Sequence, residues 1–327
     1  MKIGFIGYGR HARANLYPSI KFLGYQIHAV CTTSFNSSNL GVKEQEAQIA
    51  YQDHKKMLES EQLDAVFISL DPAKQAEITI DCLRAGVNVF VEKSPGTSLS
   101  DANSIVQEEL NSSKLVFVGY MKRYAPSYQK ISELYKNGQI GKLISIDATF
   151  SCRNFTTNIR DYLYFAPIHY INLIRSFTDQ IKDIKAFANI VDGHFAITIS
   201  ATDVNGICIN IDLKATDSWS KLNEQIILTG TNGYLKFNNN ENKVIHHINP
   251  PRSDKPRWQV LDEIDTIYGS VSTTGSGGNQ DLYLRGFIPE VETFMDLVQQ
   301  KIDINITDAV DNLNTIDMIE RILEQVS

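Results

Sequence analysis

Short apolar runs alternate with amphipathic stretches along the first third of the chain. The runs at Lys2–Gly7, Gln26–Thr32, Ala65–Leu70, Val87–Glu92 and Leu115–Tyr120 read as strands. Helical spacing fills intervals such as Ala73–Ala85 and Asp101–Leu110. Strand–helix alternation with apolar strands predicts a parallel sheet covered on both faces. Right-handed crossovers then give a doubly wound α/β fold.

The pattern changes near residue 122. A helix is expected over Ser127–Asn137, and from "KLISIDATFSC" onward the strands lengthen and alternate strictly. In "GICINIDLK", Ile207, Ile209, Ile211 and Leu213 point one way. Cys208, Asn210, Asp212 and Lys214 point the other. Such alternation means an antiparallel sheet with unlike faces. "HFAITISAT" repeats the pattern, and "EQIILTGTNGYLKF" reads as a hairpin turning at Thr-Asn-Gly. Helices over Ile288–Gln299 and Ala309–Gln325 close the chain, and "GSVSTTGSGGNQ" (Gly269–Gln280) reads as a mobile low-complexity loop. The expected division is a dinucleotide-binding domain over 1–122 and a second α/β domain over 123–327 with a large, mostly antiparallel open sheet.

Composition narrows the function. A chain of 327 residues is long for one core, which supports two domains. The net charge of -7 gives no footprint for nucleic acid. Cys31, Cys82, Cys152 and Cys208 form no CxxC pair, so no metal site is expected, and free thiols suit a reducing compartment. The start "MKIGFIGYG" reads directly as strand and turn, and no apolar run approaches the roughly 20 residues of a membrane span. The expected location is the cytoplasm.

"IGFIGYGRHA" supplies a GxGxxA turn between strand and helix. Gly7 permits the tight turn, Gly9 lets a pyrophosphate approach, and Ala12 lets helix and strand pack. Glycines are common in turns, so a purely structural turn is the alternative. The position favours dinucleotide binding, with Arg10 and His11 beside it. The second strand ends in Cys31, Thr32, Thr33 and Ser34 without the acid that would hold a ribose 2′-OH. Hydroxyls tolerate a 2′-phosphate and Arg10 could pair with one. NADP(H) is therefore the expected cofactor over NAD.

Taken with the glycine turn, "DAVFISLDP", "LRAGVNVFVEKSPG" and "VFVGYMKRYAPSY" resemble the glucose–fructose oxidoreductase, inositol dehydrogenase and MocA group. "PIHYINLI" and "LTGTNGYLKF" extend the resemblance over nearly the whole chain. It implies an N-terminal Rossmann domain and reversible hydride transfer between a nicotinamide and a carbinol of a sugar, polyol or sugar nucleotide. It also implies that Lys93 meets the nicotinamide ribose and the substrate hydroxyl, where a cation favours the developing alkoxide. Glu92, Leu70, Pro72 and Gln75 would line the cofactor. Tyr120, Lys122 and Arg123 would line the substrate, Arg123 as an oxyanion fork. His169 corresponds to the family's catalytic histidine.

Three positions depart from the family pattern. Ser94 stands between Lys93 and Pro95, where the family places Pro directly after Lys. Gln75 stands where a His is usual, and Phe165 occupies the position of an Asp that orients the His. Tyr162 and Tyr164 are the alternative proton donors. These changes keep two other readings open. One is a dinucleotide-binding regulatory protein on the same fold; the other is an oxidoreductase with a non-sugar substrate. The weakly charged face bearing Cys208, Asn210 and Thr198 is expected to pair subunits as a dimer or tetramer.

Overall fold

The computed structural model describes residues 1–239, 241–248, 256, 259, 264–270 and 278–326. The chain divides into two compact units, Met1–Ala125 with Gly277–Asp317, and Pro126–Ser276 with Met318–Ser327. A boundary drawn at residue 122 leaves out the return of 277–317 to the first unit, because linear order does not reveal which core a late helix joins.

The first unit carries a parallel six-stranded sheet: β1 (Ile3–Ile6), β2 (Ile27–Cys31), β3 (Ile49–Tyr51), β4 (Ala65–Ile68), β5 (Asn88–Glu92) and β6 (Val116–Gly119). The strand order β3-β2-β1-β4-β5-β6 is doubly wound, as expected. Strand β3 is the sixth that the hydropathy pattern did not show. It is a three-residue edge with no buried side chain, so it leaves little periodicity. Between the strands lie α1 (Tyr17–Phe22), α2 (Phe35–Gln45), α3 (His54–Ser60), α4 (Pro72–Arg84) and α5 (Leu99–Ser112). Every residue of β1, β4 and β6 is buried, as two-sided coverage demands.

Further along, α6 (Pro126–Lys136), β7 (Leu143–Cys152), α7 (Ile159–Phe165), α8 (Ile168–Arg175) and β8 (Ile181–Val191) belong to the second unit. They are followed by β9 (His194–Asp203), β10 (Cys208–Ala215), β11 (Asn223–Gly230), β12 (Gly233–Asn238), β13 (Lys243–Ile248) and β14 (Ile264–Gly269). These eight strands form one sheet, ordered β14-β13-β12-β11-β7-β10-β9-β8 and antiparallel except for β7 with β10. Its faces differ as the alternation predicts. Ile209, Ile211 and Leu213 are buried, whereas Cys208, Asn210 and Asp212 are exposed.

Helices α9 (Gly278–Leu284) and α10 (Phe287–Val298) return to the first unit, and α11 (Ala309–Val326) runs across the boundary between the units at Asp317. In α10, Phe294 lies 5.2 Å from the ring of Phe67 and 5.7 Å from those of Phe90 and Phe117, so α10 covers β4, β5 and β6. Of the expected Gly269–Gln280 loop, 271–277 lies outside the described residues, and Gly278 already begins α9.

Candidate functional site

The carboxyl ends of β1, β4 and β5 gather the first set of candidates. Gly7 has φ +114°, and a Cβ there would sit 2.2 Å from the Ser69 carbonyl oxygen. Only glycine fits that turn. A Cβ at Gly9 would meet nothing within 4 Å, so the turn is open on the side where a pyrophosphate would approach. Ala12 is fully buried and starts a π-helical turn that leads into α1. Arg10 is exposed and lines a concavity with Arg13, Ala14, Glu44 and Gln45.

His11 points across to β5. Its Nε2 is 2.8 Å from Glu92 Oε1, and Asn15 Nδ2 is 3.1 Å from its Nδ1. An amide donating to Nδ1 leaves the proton on Nε2, directed at the carboxylate. Glu92 Oε2 accepts the Lys93 backbone N–H at 3.2 Å. Glu92 is nearly fully buried, and Lys93 is half-buried beside it. Burial lowers the Lys93 ammonium from its ordinary range, and the Glu92 charge pushes it partly back.

Gln75 braces this end. Its amide donates to the carbonyls of Glu92 (2.8 Å) and Ser94 (2.9 Å), while its oxygen accepts the Leu70 N–H at 3.2 Å. One fully buried side chain thus ties β4 to both sides of Lys93. The Lys93–Ser94 peptide is cis, and the Ser94 hydroxyl donates to the Gly96 carbonyl at 2.8 Å. Pro72 occupies the first turn of α4 behind the Asp71 cap. At the end of β2, Thr32 donates to the Ser34 carbonyl and Ser34 caps α2, leaving Thr33 exposed.

The segment after β6 is bound inside the first unit. Tyr120 donates to Asn312 at 2.7 Å. Arg123 lies 3.5 Å from Asp311 and donates to the Ile306 carbonyl at 3.3 Å. This fork is engaged by its own unit, a different situation from the open oxyanion fork expected from sequence. Lys122 is buried.

The second set lies on α7 and α8. His169 is buried in the first turn of α8. Tyr162 is fully buried and donates to the Lys214 carbonyl at 3.2 Å. Tyr164 donates to Glu320, which also receives a two-point contact from Arg160 at 2.7 and 2.8 Å. Burial above all raises both phenols, so each hydroxyl holds its proton and has an internal acceptor. Phe165 is 60% exposed, with its ring 5.3 Å from Phe155. The structure therefore joins Gly7, His11, Leu70, Gln75, Glu92 and Lys93 into one connected group, while Tyr162 and Tyr164 take separate partners.

Sequence reasoning passed over Asn15, Glu320 and Glu290. Only Glu290 left a signal, as one acid inside the apolar stripe of "FIPEVETFMDLV".

Residues 1–120 match the model of the oxidoreductase family with an NAD-binding Rossmann fold. Myo-inositol 2-dehydrogenase of Thermotoga maritima is 30% identical over 148 residues, 43% of this chain and 42% of that protein. The chain thus covers less than half the length of that relative. Among solved structures, a dehydrogenase from Chromobacterium violaceum superposes with a TM-score of 0.87 at 18% identity, covering 99% of this chain and 94% of the other. Levoglucosan dehydrogenase in complex with NADH gives 0.85 at 12% identity, covering 99% and 96%. Both share the fold.

Proposed function

Because residues 1–120 match the model of the oxidoreductase family with an NAD-binding Rossmann fold, we propose that the chain is an NAD(P)-dependent dehydrogenase acting on CH–OH. Its substrate is a sugar, polyol or sugar nucleotide; the resemblance to myo-inositol 2-dehydrogenase supports a polyhydroxylated ring. The observation that carries the reading is Lys93, delivered by β5 to the carboxyl edge of the sheet and held from both sides by Gln75. Ligands of doubly wound sheets lie beyond that edge.

A bound nicotinamide would accept or donate the hydride. The open backbone at Gly9 and the tight turn at Gly7 suit its pyrophosphate. Lys93 would hold the substrate oxygen, its ammonium stabilising the alkoxide charge left when the hydroxyl proton is removed, a charge then used to form the carbonyl as the C–H bond breaks. The Glu92 charge partly offsets the burial that lowers that ammonium. His169 is the assigned proton carrier, since the hydroxyls of Tyr162 and Tyr164 already have internal acceptors. NADP(H) remains the favoured cofactor, with exposed Thr33 and Arg10 beside the 2′-phosphate.

Mass spectrometry of nucleotide released from the purified protein tests the first half of this reading. Sugars, inositols and nucleotide sugars, screened by reduced-nicotinamide absorbance, test the second. A regulatory role without turnover is the second reading, supported by exposed Phe165 at the position of the family's Asp. It would give tight nucleotide binding and no turnover in the screen.

Subunit pairing through the outer face of the eight-stranded sheet is part of the proposal. That face carries cross-strand polar contacts, Thr198 to Asp212, Ser200 to Asn210 and Asn210 to Asp147. Light scattering reporting a monomer at micromolar concentration would contradict it.

A further inference from the structure

Both carboxyl oxygens of Glu290 are buried, and neither has a hydrogen-bond partner among the described residues. An acid so placed is costly unless neutral. Its position follows from α10. Glu290 lies one turn before Phe294, on the helix face that meets the rings of Phe67, Phe90 and Phe117. Phe287, one turn earlier, lies 5.7 Å from the His11 ring. The amino end of α10 therefore sits at the carboxyl edge of the sheet. Phe90 and Glu92 share one face of β5, as Phe117 and Gly119 share one face of β6. Glu290 thus stands above Glu92. Gly119 leaves the room: a Cβ there would crowd Glu92 Oε1 to 3.3 Å. Gly286 seats the helix end against the turn after β6, where a Cβ would lie 2.0 Å from the Met121 carbonyl oxygen.

We propose that Glu290 is a positioning residue for the cofactor-facing end of β5. As a neutral carboxylic acid above Glu92, it makes Glu92 the single negative charge that His11 and Lys93 meet. The inference rests on the function proposed above. Two adjacent buried carboxyls do not both ionise. Glu92 has His11 Nε2 and the Lys93 N–H as partners, so the proton belongs on Glu290. Burial, and then the charge of Glu92, raise the Glu290 carboxyl well above its ordinary range. Among the described residues, Tyr124 after β6 also feels the Glu290 carboxyl, and His11 and Lys93 meet Glu92 beside it. Tyr124 is held by Thr307 at 2.8 Å.

Folded Glu290 keeps its proton at pH values where the unfolded chain has lost it. Folding then takes up a proton, and stability falls as pH rises from the ordinary carboxyl range toward the raised value. Gln at this position takes up none. Chemical unfolding of the parent and Glu290→Gln between about pH 5 and about pH 8 reads this directly. The ratio of folding constants, variant over parent, should rise about tenfold per pH unit. A ratio independent of pH overturns the proposal.

Turnover separates positioning from filling space. Glu290→Ala should lower turnover on the order of tenfold by loosening Glu92, and Glu290→Gln should recover most of it. An Ala variant that is less stable yet turns over at the parent rate overturns the positioning role. The alkaline fall in turnover should occur at the same pH in the parent and Glu290→Gln, because both are neutral there. Glu92→Gln should move that fall to lower pH. A shift to lower pH in Glu290→Gln would mean that a carboxylate had been lost, and overturns the proposal. If the parent turns over no substrate, the functional reading fails, while the unfolding series still decides the state of Glu290.

Discussion

Two braces, the one around Gln75 and the one around Tyr164, are held by different kinds of partner. In the first unit, Gln75 bonds to three main-chain groups, and Glu92 accepts a main-chain N–H. In the second, Tyr164 depends on Glu320, and Glu320 on Arg160. A main-chain partner persists whatever residue occupies its position. A side-chain partner disappears with one substitution. The acceptors of the Gln75 brace therefore survive substitution at Leu70, Glu92 or Ser94, whereas the Tyr164 contact is lost with Glu320.

The sharpest way to break this comparison is Lys93→Ala. Turnover should fall on the order of 10²–10³, the scale for one preorganised donor to a developing oxyanion. NADPH affinity, measured by fluorescence titration, should change far less, since the proposal gives the pyrophosphate to the Gly7–Ala12 turn. A variant that binds cofactor and turns over at the parent rate would sink the mechanism.

Gln75→Ala comes next. It leaves buried main-chain groups of Leu70, Glu92 and Ser94 without partners, at a cost of about 2–3 kcal/mol. Urea unfolding measures this. A loss below that of an ordinary surface change would mean that the brace is not needed.

Thr33→Asp should move cofactor preference from NADPH toward NADH by roughly tenfold, through repulsion of the 2′-phosphate. Strong NADH preference in the parent, by titration of both nucleotides, would overturn the choice of cofactor.

Tyr162→Phe should show the smallest effect. It removes one buried hydrogen bond, to the Lys214 carbonyl, worth about 0.5–1.5 kcal/mol in thermal unfolding. With His169 as proton carrier, turnover should follow His169→Ala and not this change. A Tyr162→Phe protein more damaged in turnover than His169→Ala would exchange the two roles.

Much of the fold was legible because periodicity reports burial directly. The apolar runs of β1, β4 and β5 and the alternation of β10 emerge where the sequence puts them. Strand β3 was not legible, since a short edge strand buries little and needs no apolar pattern. The placement of Gly7 and Lys93 just past the ends of β1 and β5 could be read from local motifs, each defined by a strand end and the turn after it. Arg123 could not. Its place after β6 suggests an open cation, but Asp311, far along the chain, occupies it.

Local chain order is enough to specify the doubly wound sheet, the glycine turn and the arrival of Glu92 and Lys93 at a strand end. These depend on neighbours within a few residues, through φ preference, side-chain alternation and crossover handedness. Packing of distant segments is what brings 277–317 back to the first core, braces β4 to β5 through Gln75, and buries the Glu290 carboxyl within reach of the Glu92 charge. Those outcomes depend on which distant surfaces bury one another. Whether a carboxyl acts as a charge or as a neutral acid follows from that burial and the partners it brings, which chain order does not specify.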